Sequence, residues 1–431
     1  MLQYGFNVPS LTTMGRKAWW QTPPYLLDGV APVLAADLVR EQYALANAPC
    51  SALDILTRSG GPKWVIGPAG TLVEVPTNTL AFDYASGRRR MVLEGAATNL
   101  LVQSQALDGA SWLKSDVAVS VTEGVFKLVP SAVSTNHLVR PSVLHTIATG
   151  TSYVVSAYAR AGEYANFRLT FEGTTPWEGG VQPGVTFNLT TGGTSTVSAS
   201  VKAYGMEAIG GGIYRCWMSV TTTAAASGTT RIGLWAANPD GTNSVYAGDG
   251  VSGLYLHHGV QMEVGSRPTS YISTTTAAVT RVADTCALSA ASVALLGIPG
   301  PSALAVRGAI SRTGGAVVVG TDAAPLIRRN TAGSGIVAMT PVNQGAGFGD
   351  LDLGTNNFGY VLGWDAAGAI AAGNGNVPQA SGAAPAGSFS AVYLGASTGA
   401  AAGSVMMLDE LLVWPLKGST NAIQTQARVW A

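Results

Sequence analysis

Charge is what this chain has least of. Only 11% of its 431 residues are Asp, Glu, Lys or Arg, 24 acids face 24 bases, and the formal net charge is zero. Without a basic field there is nothing to draw nucleic acid or an anionic lipid surface, so neither is expected as a partner. Cysteine is almost as scarce. Cys50, Cys216 and Cys286 are odd in number and widely spaced, which fits no disulfide framework and no zinc motif, and they read as small buried hydrophobes. No apolar run reaches the ~18 residues of a membrane span. The opening "MLQYGFNVPSLTTMGRKAWWQTPPYLL" lacks the basic leader, apolar core and cleavage site of a signal peptide. No membrane association and no signal-directed secretion are expected, so an extracellular role would need lysis or another route.

What the chain has is turn and strand chemistry. It is 47% hydrophobic and carries 54 glycines, enough apolar surface to fold and enough Gly, Ser, Thr and Asn to turn often. Short alternating runs such as "TSYVVSAYARA", "NFRLTFEG", "GIYRCWMSVTTTA" and "TRIGLWAANPDGTNSVYAG" recur from Leu53 onward, and helical periodicity is nearly absent between residues 95 and 285. "WVIGPAGTLVEV" reads as a hairpin turning at Gly67 to Gly70. A helix-compatible stretch stands near the start, "APVLAADLVREQYALANA", with Val33, Leu34, Leu38 and Val39 on one face, docking on the next domain or on a partner subunit. The length has room for more than one core. The expected fold class is all-β: two jelly-roll or β-sandwich domains at 95–285 and 286–431, preceded by an attachment segment at 1–52 and a β-hairpin connector at 53–94.

Two stretches carry a resemblance. Residues 51–112 contain Thr57-Arg58, the Gly67 to Gly70 turn, a Phe82-Asp83 turn and a run from Glu94 to Leu101. In the second, Gly259, Gln261, Glu263, Gly265, Thr269, Ser270, Tyr271 and Ile272 are followed by Thr280, Arg281 and Asp284. Together they resemble segments of bacteriophage fibre and tail proteins that enter and close a carbohydrate-binding-module-like sandwich. Two departures stand out: Arg88 to Arg90 with Gly-Ala-Ala replace an apolar approach and Pro-Ala-Arg, and His258 stands where an aromatic is common. Residues 286–431 resemble a concanavalin-A-like, laminin-G-type jelly roll, chiefly through "AVYLGASTGAAAGSVMMLDELLVWPLKGS".

Such modules occur on phage tail fibres, head fibres and the head spikes of gene transfer agents. The resemblance therefore implies a virion structural protein, a head or tail fibre or spike, adhering to host cell-surface polysaccharide. It implies a place on the virion surface after assembly in the host cytoplasm and release by lysis. Other virion proteins would be met through the N-terminal segment, and a homo-oligomer is expected, with no heptad run to fix its number. One rival is a capsid or tail decoration or connector protein that binds no glycan; another is a glycan depolymerase.

Reactive chemistry is not expected. In a strand, His257 and Gln261 stand roughly 13 Å apart, too far for one zinc ion. Leu254, Leu256, His258, Val260, Met262 and Val264 make one face, while Tyr255, His257, Gln261 and Glu263 make the other, either structural or facing sugar. Glycosidases need two carboxyl groups about 5–10 Å apart, and no strand alternates acids to supply them. Asp350 with Asp352, and the neighbours Asp409 and Glu410, read as turn or rim acids. Asp240, Asn243 and Asp249 sit in turn sequences that either hold calcium or simply turn. No cofactor, no metal and no catalytic residue is expected, and the chain is read as a non-enzyme. For sugar, an aromatic face and planar hydrogen-bonding groups are needed. Trp177 and Glu178 in a Gly/Pro-rich loop, Arg231 and Trp235 on one side of a strand, and Tyr255, His257 and Gln261 are the glycan-binding candidates.

Overall fold

The computed structural model describes residues 17–85, 87–225, 227–238, 245–297, 300–310, 316–321, 325–329, 336–338, 346–347, 357–375, 377–381, 390–395 and 406–427. Among them the regular elements are strands, apart from short helices at Ala52–Ile55, Ala290–Val293 and Thr420–Gln426 and two 3-10 turns. The chain is all-β.

Two six-stranded antiparallel sheets form the middle of the protein. One runs Trp112–Ser115, Leu138–Pro141, Ile232–Ala236, Asn166–Phe171, Gly184–Asn188, Gly193–Val197. The other runs Val117–Thr122, Val125–Pro130, Leu254–Val264, Ser152–Arg160, Ile213–Thr221, Val201–Gly210. Side-chain alternation closes a core between them. Leu254, Leu256, Val260 and Met262 meet Ala157, Met218, Phe167, Phe187 and Leu234 there. Each large apolar side chain removed from water adds about 1.5–3 kcal/mol. Val264, expected on the same face, is 61% exposed at the strand's end. The His258 side chain lies outside the described residues.

The two ends of the chain fold together. Leu34–Asp37 pairs with Gln42–Leu45 on one side and with Met406–Trp414 on the other, inside a ten-stranded sheet. Arg90–Leu93 also pairs with Met406–Trp414. In the facing seven-stranded sheet, Leu56–Ser59 pairs with Thr285–Leu288. Leu34, Leu56, Leu93, Cys286, Leu304 and Leu411 share one core. Ala97–Asn99 pairs with Val279–Arg281, so the middle sheets leave and rejoin this framework at one place.

This corrects the expected layout at the N-terminus. The helix expected at Val33 to Val39 is a hairpin, and Leu34–Asp37, Gln42–Leu45, Leu56–Ser59 and Arg90–Leu93, from the 1–52 segment and the 53–94 connector, are strands of the C-terminal sheets, while Lys63–Ile66 and Leu72–Val75 form a two-stranded sheet of their own. All of Leu34 to Asp37 is buried, so its short apolar run carries no strand alternation. Residues 38–41 close its hairpin with Gln42–Leu45, with Glu41 at φ 57°, and the next turn, from Gln42–Leu45 to Ala48–Pro49, uses Ala46 and Asn47 at φ 50° and 64°, a primed geometry usually announced by Asn-Gly or Asp-Gly. The hairpin at Lys63–Ile66 and Leu72–Val75 forms as expected, with Gly70 at φ 73°.

Candidate functional site

The outward face of the second six-stranded sheet is polar and ordered in rows across its strands. Lys127, Tyr255 and Arg160 form one row; His257, Tyr158, Arg215 and Glu207 form the next; Gln261, Ser156, Trp217 and Gly205 form a third. This is the face that alternation assigns to Tyr255, His257, Gln261 and Glu263. The hairpin 63–75 and the loop after Val264 cover part of it, through a cluster of Ile66, Leu72, Tyr158, Ile209 and Tyr271. Tyr271 crosses Gly259, where a Cβ would overlap its ring, and shares a 2.6 Å hydrogen bond with Ser104 Oγ. Only glycine fits at 259.

Between these rows, the hairpin and the edge of the ten-stranded sheet lies a cavity of about 420 Å³. Asp83, Glu94 and Glu207 line it together with Arg90, Arg215 and Arg267, and Tyr158 and Trp64 add aromatic surface. Burial pushes the Asp83 carboxyl upward, reinforced by Glu94 and Glu207, although the amides of Ile66 and Ala85 donate to it at 2.9 and 2.7 Å and pull the other way. Burial would also raise Glu94. Lys63 at 2.9 Å, Arg281 and the Ser270 amide at 2.7 Å outweigh that and hold it well below the usual carboxylate range. Burial lifts the Tyr158 hydroxyl to about 12. Two carboxyl groups in one pocket with opposed shifts are a general acid–base pattern, yet Glu94 is fully engaged, which leaves Asp83 and Glu207 as the chemically available acids.

Beside the cavity, five ionic side chains that are 0–3% exposed form one network. Asp284 accepts from Arg58 Nε at 2.9 Å, Arg58 NH2 at 2.6 Å, the Glu94 amide at 2.8 Å and Lys63 Nζ. Glu94 binds Lys63 and Arg281. Asn99 donates to the carbonyls of Val260 and Ile272 and accepts from Leu101 and Met262. Arg58, Glu94, Asn99, Arg281 and Asp284, all within the stretches that carry the fibre-type resemblance, converge here, where the middle sheets meet the framework, and lock the junction. Lys63 is the member missed from sequence, because a lone Lys in a hairpin ordinarily faces solvent.

The seven glycan-binding candidates are not brought together. Trp177 is 2% exposed, packed 5.0 Å from Phe171 with its indole N–H on Glu172 O. Trp235 leaves the core face as expected but lies along its own sheet over Gly233, 9% exposed, donating to Thr170 Oγ1 at 2.8 Å. Neither ring offers a face for stacking, which corrects both assignments. Gln261 is also removed from that role: it is 1% exposed, donates to Glu263 and accepts from the Ile272 amide. Glu178 pairs with Lys202 at 2.9 Å, and Arg231 donates to Ser142 O at the end of the neighbouring strand of its own sheet and pairs with Glu172 at 3.8 Å. Tyr255 and His257 do stand half-exposed side by side, with Arg160 4.5 Å over the Tyr255 ring and bonded to His257 Nε2 at 3.3 Å.

The remaining acids are structural where they are described. Asp409 pairs with Arg90 at 3.0 Å and Glu410 with Arg307, both buried rather than at a rim. Asp249 closes a turn through the amides of Val251 and Ser252. Asp240, Asn243, Asp350 and Asp352 lie outside the described residues.

No protein-family model and no curated protein matches this chain. Among solved structures it is similar to Trypanosoma rangeli sialidase in complex with sialic acid, at 11% identity and a TM-score of 0.27, covering 79% of this chain and 66% of that one. The same enzyme in complex with the inhibitor DANA matches at 10% identity and a TM-score of 0.27, over 82% and 67% of the two chains. The chain thus spans about two thirds of the length of these sialidases. The matched proteins are enzymes, which overturns the expectation of a non-enzyme. At this TM-score the likeness assigns no reaction in its place. The physical weakness of that expectation is visible in the cavity: its acids come from three separate segments, and spacing along single strands does not reveal them.

Proposed function

We propose that this chain is a fibre or spike component on the surface of a virus-like particle and adheres to host cell-surface polysaccharide through the junction cavity. The observation that carries the reading is the cavity itself, a recess bearing aromatic surface, guanidinium groups and carboxylates on an otherwise charge-poor protein. Sugar recognition needs that combination of flat apolar surface and planar hydrogen-bonding groups. The fibre-type segments support the virion setting, because their residues build the junction that shapes the recess. Tyr255, His257 and Arg160 extend the same face beyond the covered part.

A second reading is favoured by a specific observation. Asp83 and Glu207 share the cavity, and Asp83 holds its proton more tightly than a free carboxyl, as the acid of a glycoside-cleaving pair must. Under this reading the bound glycan is also cut. Purified full-length chain applied to a glycan array and to host capsule tests both. Retention without new reducing ends supports adhesion, and release of reducing ends that Asp83→Asn abolishes supports cleavage. A folded chain that neither binds nor cuts any host glycan leaves the connector role and removes adhesion.

A further inference from the structure

Not all charges lining the junction cavity are consumed by their neighbours. Arg90 is taken by Asp409 at 3.0 Å, and Glu94 by Lys63 at 2.9 Å and by Arg281. Arg215, Arg267, Asp83 and Glu207 enter no ion pair among the described residues, and all four line the cavity. Arg215 is 8% exposed; it donates to Ser156 Oγ at 3.1 Å and Thr269 O at 2.6 Å, both neutral, and its Nε has no partner. Burial alone would weaken the Arg215 charge, and Tyr158, Glu207, Glu263 and Glu94 together outweigh it, but no carboxylate oxygen of these acids sits in ion-pair contact with it. Those surroundings already outweigh the burial of this guanidinium, yet its Nε stays without a partner and its rigid fork matches the two oxygens of a carboxylate. Arg267 stands exposed at the mouth, its guanidinium carbon 5.3 Å from the Trp217 ring in the row beside Arg215.

We propose that the cavity takes a carboxylate-bearing sugar, a uronate unit of an acidic polysaccharide, with its carboxylate on Arg215 and Arg267 and its hydroxyls on Asp83 and Glu207. The proposal rests on the reading of this cavity as the polysaccharide site and names the class of sugar. A neutral sugar would leave Arg215 without a contacting counter-charge. A phosphate group would bring a second negative charge beside Asp83 and Glu207. A uronate supplies one anionic fork and several hydroxyl donors, which suit guanidinium and carboxylate groups that are hydrogen-bonded to neutral partners but enter no ion pair among the described residues. The recess of about 420 Å³ falls in the usual range for small-ligand sites, and Trp64 is part of its lining.

The test is calorimetric titration of the full chain with trigalacturonate and with triglucuronate, each beside its neutral methyl ester. At least one acid is expected to bind, and its ester about tenfold more weakly or worse. Arg267→Gln, at an exposed position, is expected to weaken acid binding about fivefold or more with an unchanged melting temperature. Arg215→Lys, which keeps the charge and loses the fork, is expected to weaken it similarly; should that variant not fold, Arg267→Gln and the ester comparison decide. Equal binding of acid and ester, or an unaffected Arg267→Gln, overturns the proposal. Retention on host polysaccharide without any uronate binding overturns it while leaving the parent reading standing. Loss of both overturns both.

Discussion

Replacing Asp284 by Asn isolates the junction network. The carboxylate accepts two hydrogen bonds from Arg58, one from Lys63 and one from the Glu94 amide, and the side chains of Asp284, Arg58 and Lys63 are 0% exposed. Asn is nearly isosteric, so no cavity is opened; what is lost is the charge, and an amide N–H is turned toward cationic donors. Breaking a buried ion pair from one side costs about 3–5 kcal/mol. Lys63 keeps Glu94 at 2.9 Å, and Arg58 keeps the carbonyls of Gly61 and Thr79, which holds the cost within that range rather than doubling it. With an unfolding entropy of about 2.1 cal/mol/K per residue over 431 residues, roughly 1 °C per kcal/mol, a cost near 4 kcal/mol lowers the melting temperature by about 4 °C. Scanning calorimetry reads this directly, and the double variant Arg58→Met with Asp284→Leu is expected to recover about 2 kcal/mol, since the uncompensated cation is removed. A shift below about 2 °C for Asp284→Asn would refute the view that this network holds the middle sheets on the framework.

Gly259→Ala forces a methyl group into the Tyr271 ring and is expected to cost about 2 kcal/mol or more in urea unfolding, whereas a neutral result would mean the loop carrying Tyr271 moves freely. Trp177→Ala is expected to lose about 3–5 kcal/mol of stability while leaving glycan retention per folded molecule unchanged; loss of retention at full stability would return Trp177 to the site. Glu94 titrates below its ordinary value in the fold, so its contribution is fully present above pH ~4.3 and disappears as pH falls through the lower folded value. Acid unfolding below pH ~4 should therefore be steeper in wild type than in Glu94→Gln, and identical slopes would contradict the ion-pair geometry.

The period-two pattern makes the fold class legible, and among the described side chains from Leu254 to Glu263 it assigns the faces that the structure shows. Because the polar face of that strand borders the cavity, the right surface was found while most of its chemistry was not. Tyr158, Arg215 and Glu207 lie on neighbouring strands 42 to 99 residues away from His257 along the chain's strand register, and no local spacing joins them to it. Trp177 and Trp235 were misassigned because an indole outside the core stripe has two fates, and Gly233 gave Trp235 a flat bed on its own sheet. The N-terminal hairpin was hidden by a run buried on both faces, which reads alike as strand or helix. Arg58, Glu94, Arg281 and Asp284 were visible as a motif, but only their convergence shows that they hold a junction rather than a ligand.

The most direct test of the central claim is retention of the purified full-length chain on host cells, measured before and after the surface polysaccharide is stripped, with Arg267→Gln alongside. The account predicts strong retention on intact cells, little on stripped cells, and a clear loss for Arg267→Gln at unchanged stability. Equal retention on intact and stripped cells, or none on either, would contradict it.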